Sequence, residues 1–375
     1  MKLLKVTANN FKLCEDNFTI SFVPEANKTI EDKEFELHEI AENLFVFKTL
    51  GFIGKNASGK TTAVELLSLV YDIFSMFRIR ESSSILKYWD KPVDLDITFF
   101  DEGYLYRYTT NLSKNNENGM IVFKNQKLYK RLYMKSYANK IFDYSKYEQI
   151  KLNNSLPEDT SIVYLILKNI RFRGIYCPSM DAMYSNYTVS FNIYKLLNND
   201  NKIIKSILKM FDEHLESIEK VNEYKFKIYY SDKTNKEVTN IELYDILSSG
   251  TTKGFGLFTF VVYSLKSGCD LIVDEIENHF HKSLVENLVN LYKDKSVNKN
   301  NATLIFTTHY CELLDLFNRT DNIYITKNDK NIHLENMYKD YNFRPELSKS
   351  KKFYSNTFNT DVDYDSLMNF KKELM

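Results

Sequence analysis

Apolar residues recur along this chain at two spacings, and the changes between them mark its predicted elements. Leu3–Ala8 and Phe18–Phe22 are short β-rich runs around a polar turn, which predicts an antiparallel hairpin. Leu44–Ile53 is apolar except at Lys48 and Thr49 and predicts a buried strand; Thr61–Phe77 predicts the helix that leaves it. Val93–Phe100 and Tyr104–Thr110 flank Asp101-Glu102-Gly103, a second hairpin signal.

Between Asn111 and Asn222 the chain becomes rich in Lys, Asn and Tyr, with helices predicted at Leu128–Tyr147, Ile162–Ile170 and Ile203–Val221. This reads as an inserted, mainly helical subdomain. Strand and helix then alternate: Tyr224–Tyr230 (strand), Thr251–Ser267 (helix), Leu271–Val273 (strand), His281–Asp294 (helix), Thr303–Thr307 (strand) and Cys311–Phe317 (helix). Strands Asn322–Thr326 and Ile332–Glu335 follow. Such alternation predicts an α/β fold with a mixed, largely parallel core sheet and a smaller antiparallel β subdomain. The expected division is 1–110, 111–222 (the insertion), 223–342, and a tail over 343–375 without a clear period.

The candidate chemistry sits where the first buried strand meets its helix. Gly54, Lys55, Asn56, Ala57, Ser58, Gly59, Lys60, Thr61 and Thr62 form a complete phosphate-binding loop in its required strand-to-helix setting. Glycines let successive N–H groups face phosphate oxygens, Lys60 reaches the β- and γ-phosphates, and the Thr61 hydroxyl ligates Mg²⁺. The chain holds only ten glycines, and six of them, Gly51, Gly54, Gly59, Gly250, Gly254 and Gly256, fall in two short segments. Glycine is thus concentrated in two loops.

Composition narrows the rest. Fifty Lys and Arg balance fifty Asp and Glu, so no global field argues for nucleic acid or an anionic membrane. No apolar stretch reaches the roughly 18 residues of a membrane span, and no signal-peptide core follows Met1, so a cytosolic (cytoplasmic) location without a membrane partner is expected. Cys14, Cys177, Cys269 and Cys311 are far apart and suggest neither disulfides nor a zinc site.

Three further segments fall in a telling order. Asp270–Val273 is an apolar strand running into Asp274 and Glu275, carboxylates suited to holding Mg²⁺ and polarising water. Leu247-Ser248-Ser249-Gly250-Thr251 places small hydroxyls and a glycine at a helix start, which by itself is an ordinary N-cap and in this order an anion site. His309 follows a core strand, where a histidine can sense a γ-phosphate.

Together these motifs resemble the head of ABC-type ATPases, in the branch that contains SMC, RecF and OLD-family proteins. Asp274-Glu275-Ile276-Glu277-Asn278, Thr307-Thr308-His309 and the opening Asn10-Phe11 are similar to OLD-like and AbiL-like AAA-family ATPases of anti-phage, abortive-infection systems. The resemblance covers residues 1–110 and 224–335 and implies an ATP- and Mg²⁺-dependent ATPase. Lys60 and its loop would bind phosphates, Thr61 and Asp274 would organise Mg²⁺, Glu275 would be the base and His309 the switch residue. Ser248, Ser249 and Gly250 would close over ATP held by a second subunit, which implies a homodimer around sandwiched ATP. Its output would pass to a separate effector protein, a nuclease or toxin, since the stretch after His309 is too short for the Toprim nuclease of many OLD-like proteins. The alternative is a RecF-like, nucleic-acid-binding ATPase of DNA maintenance. Ser249 and Thr251 depart from the commonest signature, and the coupling glutamine has no place: Gln126 and Gln149, the chain's two glutamines, lie in the insertion. The 214 residues from Lys60 to Asp274 are too few for SMC coiled-coil arms.

Two features remain open between readings. His279 and His281 beside Glu275 and Glu277 suit a metal, or line the loop after the catalytic glutamate. Lys114–Lys151 carries nine basic residues against Glu117, Asp143 and Glu148, with five interleaved tyrosines. That pairing suits nucleic acid, whereas the four-residue recurrence of Tyr129, Tyr133, Tyr137 and Ile141 suits a packed helix with a solvated basic face.

Overall fold

The computed structural model describes residues 1–76, 79, 91–115, 120–151, 156–166, 173–178, 200–222, 224–278, 280–341, 343–344, 347–355, 357–358 and 364–374. They fall into two compact units, Met1–Arg171 with Thr307–Met375, and Phe172–Phe306.

The first unit contains a six-stranded antiparallel sheet in the order Phe18–Ser21, Lys2–Asn9, Val93–Asp101, Tyr104–Lys114, Ile121–Leu132, Glu148–Gln149. Asp101 pairs with Tyr104 across Glu102 (φ 46°) and Gly103 (φ 83°), so both central turn residues are left-handed, as a two-residue hairpin requires. Separately, Thr49–Ile53 runs parallel to Ile323–Asn328, which pairs antiparallel with Ile332–Asn336. All five residues of Thr49–Ile53 are buried, as a strand covered on both faces demands. Helix Lys60–Ser75 follows; its Phe74 ring meets Phe99 of the antiparallel sheet edge-on, centroids 4.9 Å apart.

Burial on this helix also sets a pH response. Desolvation raises the Asp72 carboxyl from 3.8 to about 6. A carboxyl whose folded pKa lies above its unfolded value costs stability above that folded pKa and costs nothing below the unfolded one. Asp72→Asn is expected to stabilise the protein by on the order of 1–3 kcal/mol at pH 7.5, with the gain gone near pH 4 in urea titrations. An equal gain at both pH values would remove desolvation as the cause.

Several predicted elements differ in the structure. Leu44–Ile53 is two strands, Leu44–Phe47 turning back on Leu37–Ala41 and Thr49–Ile53 entering the core. The break is at Lys48, whose fully buried ammonium donates to the Glu34 carbonyl at 2.6 Å and whose N–H donates to Glu36 O at 2.9 Å. The helix expected over Leu128–Tyr147 is the end of strand Ile121–Leu132, paired Tyr108↔Leu128 and Tyr106↔Lys130, followed by 3₁₀ turns at Lys135–Lys140 and Tyr144–Lys146. The neighbouring strand supplies a ladder that helical spacing cannot reveal. Tyr129, Tyr133, Tyr144 and Tyr147 join an apolar cluster with Leu4 and Leu105, while the Arg131 guanidinium lies 3.6 Å from the centre of the Tyr137 ring. Those rings take part in packing, Tyr147 buried and the others half-buried.

Ile203–Val221 likewise divides into helix Asn201–Phe211 and strand Leu215–Lys220, because the Asp212 carboxylate accepts the His214 N–H at 2.9 Å and closes a turn there. The described residues of 111–222 therefore hold strands as well as helices. Of Ile162–Ile170, the helix is Ile162–Ile166 and the remainder lies outside the described residues. Cys311–Phe317 is a 3₁₀ turn over Cys311–Leu316.

In the second unit Gly174–Cys177 and Leu304–Thr308 flank Asp270–Val273 in parallel. Leu215–Lys220, Lys225–Tyr230 and Asn235–Thr239 form a separate antiparallel sheet. Helix Asn201–Phe211 packs on helix Ser249–Ser267 at Gly254, where any Cβ would run into the Phe211 ring. The four cysteines are free and buried, and burial pushes the Cys14 and Cys177 thiols up to about 12, which marks them as inert. Among the described residues no helix is long and apolar enough to cross a membrane.

Candidate nucleotide site

The loop Gly54–Gly59 is shaped by strands far away in sequence. A Cβ on Gly54 would come within 2.5 Å of the Thr326 carbonyl oxygen, so only glycine fits. The Thr326 hydroxyl bonds Ser58 Oγ at 2.5 Å and donates to Ile53 O at 3.3 Å, and Asn328 Nδ2 donates to Ala57 O at 3.1 Å. Gly59, left-handed at φ 102°, caps helix Lys60–Ser75 with Ile332 packed against it. Ala57, at φ 59°, is a non-glycine residue in the same strained region. A hairpin loop adds to this support: Ile332 N–H donates to Leu13 O at 2.8 Å, and Lys12 pairs with Glu65 on the loop helix.

Within this cradle the Lys60 ammonium is buried. It donates to Gly54 O at 3.0 Å and Lys55 O at 3.1 Å, and it lies 3.4 Å from His309 Nδ1. The structure thus joins two residues separated by most of the chain. Among the described residues, the N–H groups of Asn56, Ala57 and Gly59 donate to no protein acceptor. Lys55, Asn56, Ala57 and Thr61 are exposed and Thr62 is half-buried. Undonated amides, a fixed cation and the positive end of a 16-residue helix fit the phosphates of a nucleoside triphosphate.

The acidic turn belongs to the second unit. Strand Asp270–Val273 is buried throughout, and Asp274, almost fully buried, donates its N–H to Cys177 O at 2.9 Å. Glu275 is left-handed at φ 52°, a conformation that costs a side-chain-bearing residue about 1 kcal/mol. It is held there by Asn278, whose N–H donates to Glu275 O at 2.9 Å and whose Nδ2 donates to the Glu275 carboxylate at 3.4 Å. Strain retained at an acidic residue, with a neighbour orienting it, is a mark of a functional position.

His279 lies outside the described residues. His281 caps helix Lys282–Lys293, its Nδ1 bonded to Ser283 Oγ at 2.9 Å. Among the described residues no three His, Cys, Asp or Glu side chains are placed to hold a metal together.

At the hydroxyl segment, Ser248 caps helix Ser249–Ser267 by accepting the Thr251 N–H at 3.0 Å, and its hydroxyl also bonds Thr251 Oγ1 at 2.8 Å. Ser249 is the first helical residue. Gly250 is different from Gly54 and Gly254: a Cβ there meets nothing nearer than Ser248 Oγ at 3.8 Å. Among the described residues, neither packing nor φ requires a glycine at that place.

Thr326, Asn328 and Ile332 went unrecognised in the sequence. No local signal marks them, since their roles arise from strands more than 260 residues beyond the loop they shape.

No curated protein matches the chain. Among solved structures it is similar to the SmcHead bound to the C-winged helix domain of ScpA, at 12% identity and a TM-score of 0.46, over 92% of this chain and 100% of that one. Residues 50–315 match the AAA_21 family, described as "AAA domain, putative AbiEii toxin, Type IV TA system", and so span both the phosphate loop and the acidic strand. Since that match extends over more than half of its length, the chain belongs to the AAA_21 family of P-loop ATPases.

Proposed function

We propose that this protein is a Mg²⁺-dependent, ABC-like ATPase of the OLD and AbiL type that dimerises on ATP and switches a separate effector, a nuclease or toxin, in cytoplasmic anti-phage defence. The observation that carries the reading is the Lys60 cradle, with Gly54 O, Lys55 O and His309 around one buried ammonium. Lys60 and the loop amides bind the phosphates, and His309 stands where a γ-phosphate competes with it for Lys60. Thr61 and Asp274 are the residues that would hold Mg²⁺, which neutralises charge on the β- and γ-oxygens when bound. Glu275 takes the proton of the attacking water.

Lys60→Ala tests the nucleotide half. Loss of a charge-assisted contact of about 1.5–3 kcal/mol weakens ATP binding at least tenfold, read as loss of the ATP-induced rise in Tm. The same variant should lose protection in a phage plaque assay run with the effector present. An unchanged ATP shift would sink the assignment.

Gly250→Ala tests the second subunit. Alanine in place of a helical glycine stabilises the helix by up to about 1 kcal/mol, and among the described residues nothing blocks it. The isolated subunit should therefore keep or raise its Tm, whereas the ATP-driven dimer weakens and turnover drops. If sedimentation with ATP shows the dimer unaltered, this segment does not meet a partner.

A further inference from the structure

Lys28 and Lys33 place their ammonium groups 5.9 and 5.5 Å from the centre of one ring, that of Phe45. Neither lysine pairs with a carboxylate among the described residues. Attraction to a ring face is weak at an exposed position, and both lysines are exposed, so an anion can draw on either ammonium group.

The segment carrying both lysines is anchored rather than loose. The Asp321 carboxylate accepts the N–H groups of Glu25 and Ala26, each at 2.9 Å. Arg319 donates to Ala26 O and Asn27 O at 3.0 Å and to Asp32 Oδ2 at 2.8 Å. Asp32 in turn completes a capping box with Thr29 at the start of helix Ile30–Phe35. A pinned segment loses little conformational entropy when it binds.

Beside these lysines lies a cavity of about 710 Å³. Half-buried Phe142 gives it apolar surface beside the buried Leu44, Phe45 and Ile141, while Lys135 and Asn139 add polar groups; Lys135 is paired with Glu42 at 2.5 Å, and among the described residues Glu25 is the one acid lining it. That volume falls within the range of small-molecule sites. The cavity lies apart from the phosphate loop. Arg319 and Asp321 precede strand Ile323–Asn328, whose other end, at Thr326 and Asn328, supports Gly54 and Ala57.

We propose that this cavity is a second, non-catalytic site for a phosphate-bearing ligand of mononucleotide size, its ring against Phe142 and its phosphate held by Lys28 and Lys33. The site stands independently of the role given to the phosphate loop.

The test is equilibrium dialysis of the full chain, with the phosphate loop first saturated by a non-hydrolysable ATP analogue and Mg²⁺. Labelled AMP, GMP, CMP and UMP serve as probes, with pyrophosphate as the ring-free comparison. At least one mononucleotide should bind saturably in addition to the analogue. The K28Q/K33Q variant should bind it at least about tenfold more weakly at unchanged Tm and basal ATPase rate, and K28R/K33R should retain it. Absence of extra saturable binding up to about 1 mM overturns the proposal, as does equal binding by K28Q/K33Q or binding of pyrophosphate alone.

Discussion

Glu275→Gln is expected to lower ATP turnover by about 10²–10⁴-fold while leaving nucleotide binding intact, so that ATP accumulates on a dimer that no longer resolves. Glutamine keeps the length of the side chain and an oxygen that accepts the Asn278 Nδ2–H, and it can occupy the same left-handed backbone. What it loses is the ability to accept a proton from water. Phosphate release should therefore collapse without a change in Tm, and sedimentation with ATP should shift from monomer to dimer. A variant that hydrolyses at the wild-type rate would remove Glu275 as the base. A variant that is inactive and also fails to bind ATP would mean that its carboxylate acts in binding.

The second large effect is on stability. Arg319→Ala should cost about 3–5 kcal/mol, measured by urea unfolding. The guanidinium is buried and makes five hydrogen bonds, two to the Asp321 carboxylate at 2.8 and 2.6 Å, one to Asp32, and one each to the carbonyls of Ala26 and Asn27. Removing it leaves two buried carboxylates facing each other's neighbourhood without a cation, and that uncompensated charge dominates the loss. Arg319→Lys keeps the charge and loses the fork, so it should fall between the two. A loss below about 1 kcal/mol for Arg319→Ala would show that water replaces the guanidinium. Because Arg319 also holds the segment of Lys28 and Lys33, its loss would loosen that cavity.

How far the chain could be read in advance differs from element to element. Gly54–Thr62 was legible because a phosphate loop is a local object: its glycines, lysine and threonine lie within nine residues, and strand and helix flank it directly. Asp274 and Glu275 were legible as the end of an apolar strand, and Ser248 as a helix cap. The tyrosine-rich segment was not. Tyr129, Tyr133 and Tyr137 repeat at helical spacing, yet Tyr129 is paired within strand Ile121–Leu132, Tyr133 follows its end and Tyr137 lies in the 3₁₀ turn beyond, because strand Tyr104–Lys114 presents an open ladder to that strand. Helical periodicity measures one chain segment and is blind to an edge waiting elsewhere. Lys48 showed the opposite case, where one buried polar residue inside an apolar run marked a switch of partner.

By itself the sequence marked the candidate site: the residues of the loop Gly54–Thr62, the acidic pair ending an apolar strand and the Ser248 cap, since each signal depends on neighbours a few positions away. Tertiary structure alone decided how those groups are held. It set Lys60 against His309, made Gly54 obligatory by bringing Thr326 to it, left Gly250 with no need to be glycine among the described residues, and gathered Arg319, Asp32 and Asp321 at the segment that carries Lys28 and Lys33. The reason is physical. Local conformational preference is written in adjacent residues, whereas close approach and buried charge pairing depend on partners that only the folded chain brings within a few ångströms.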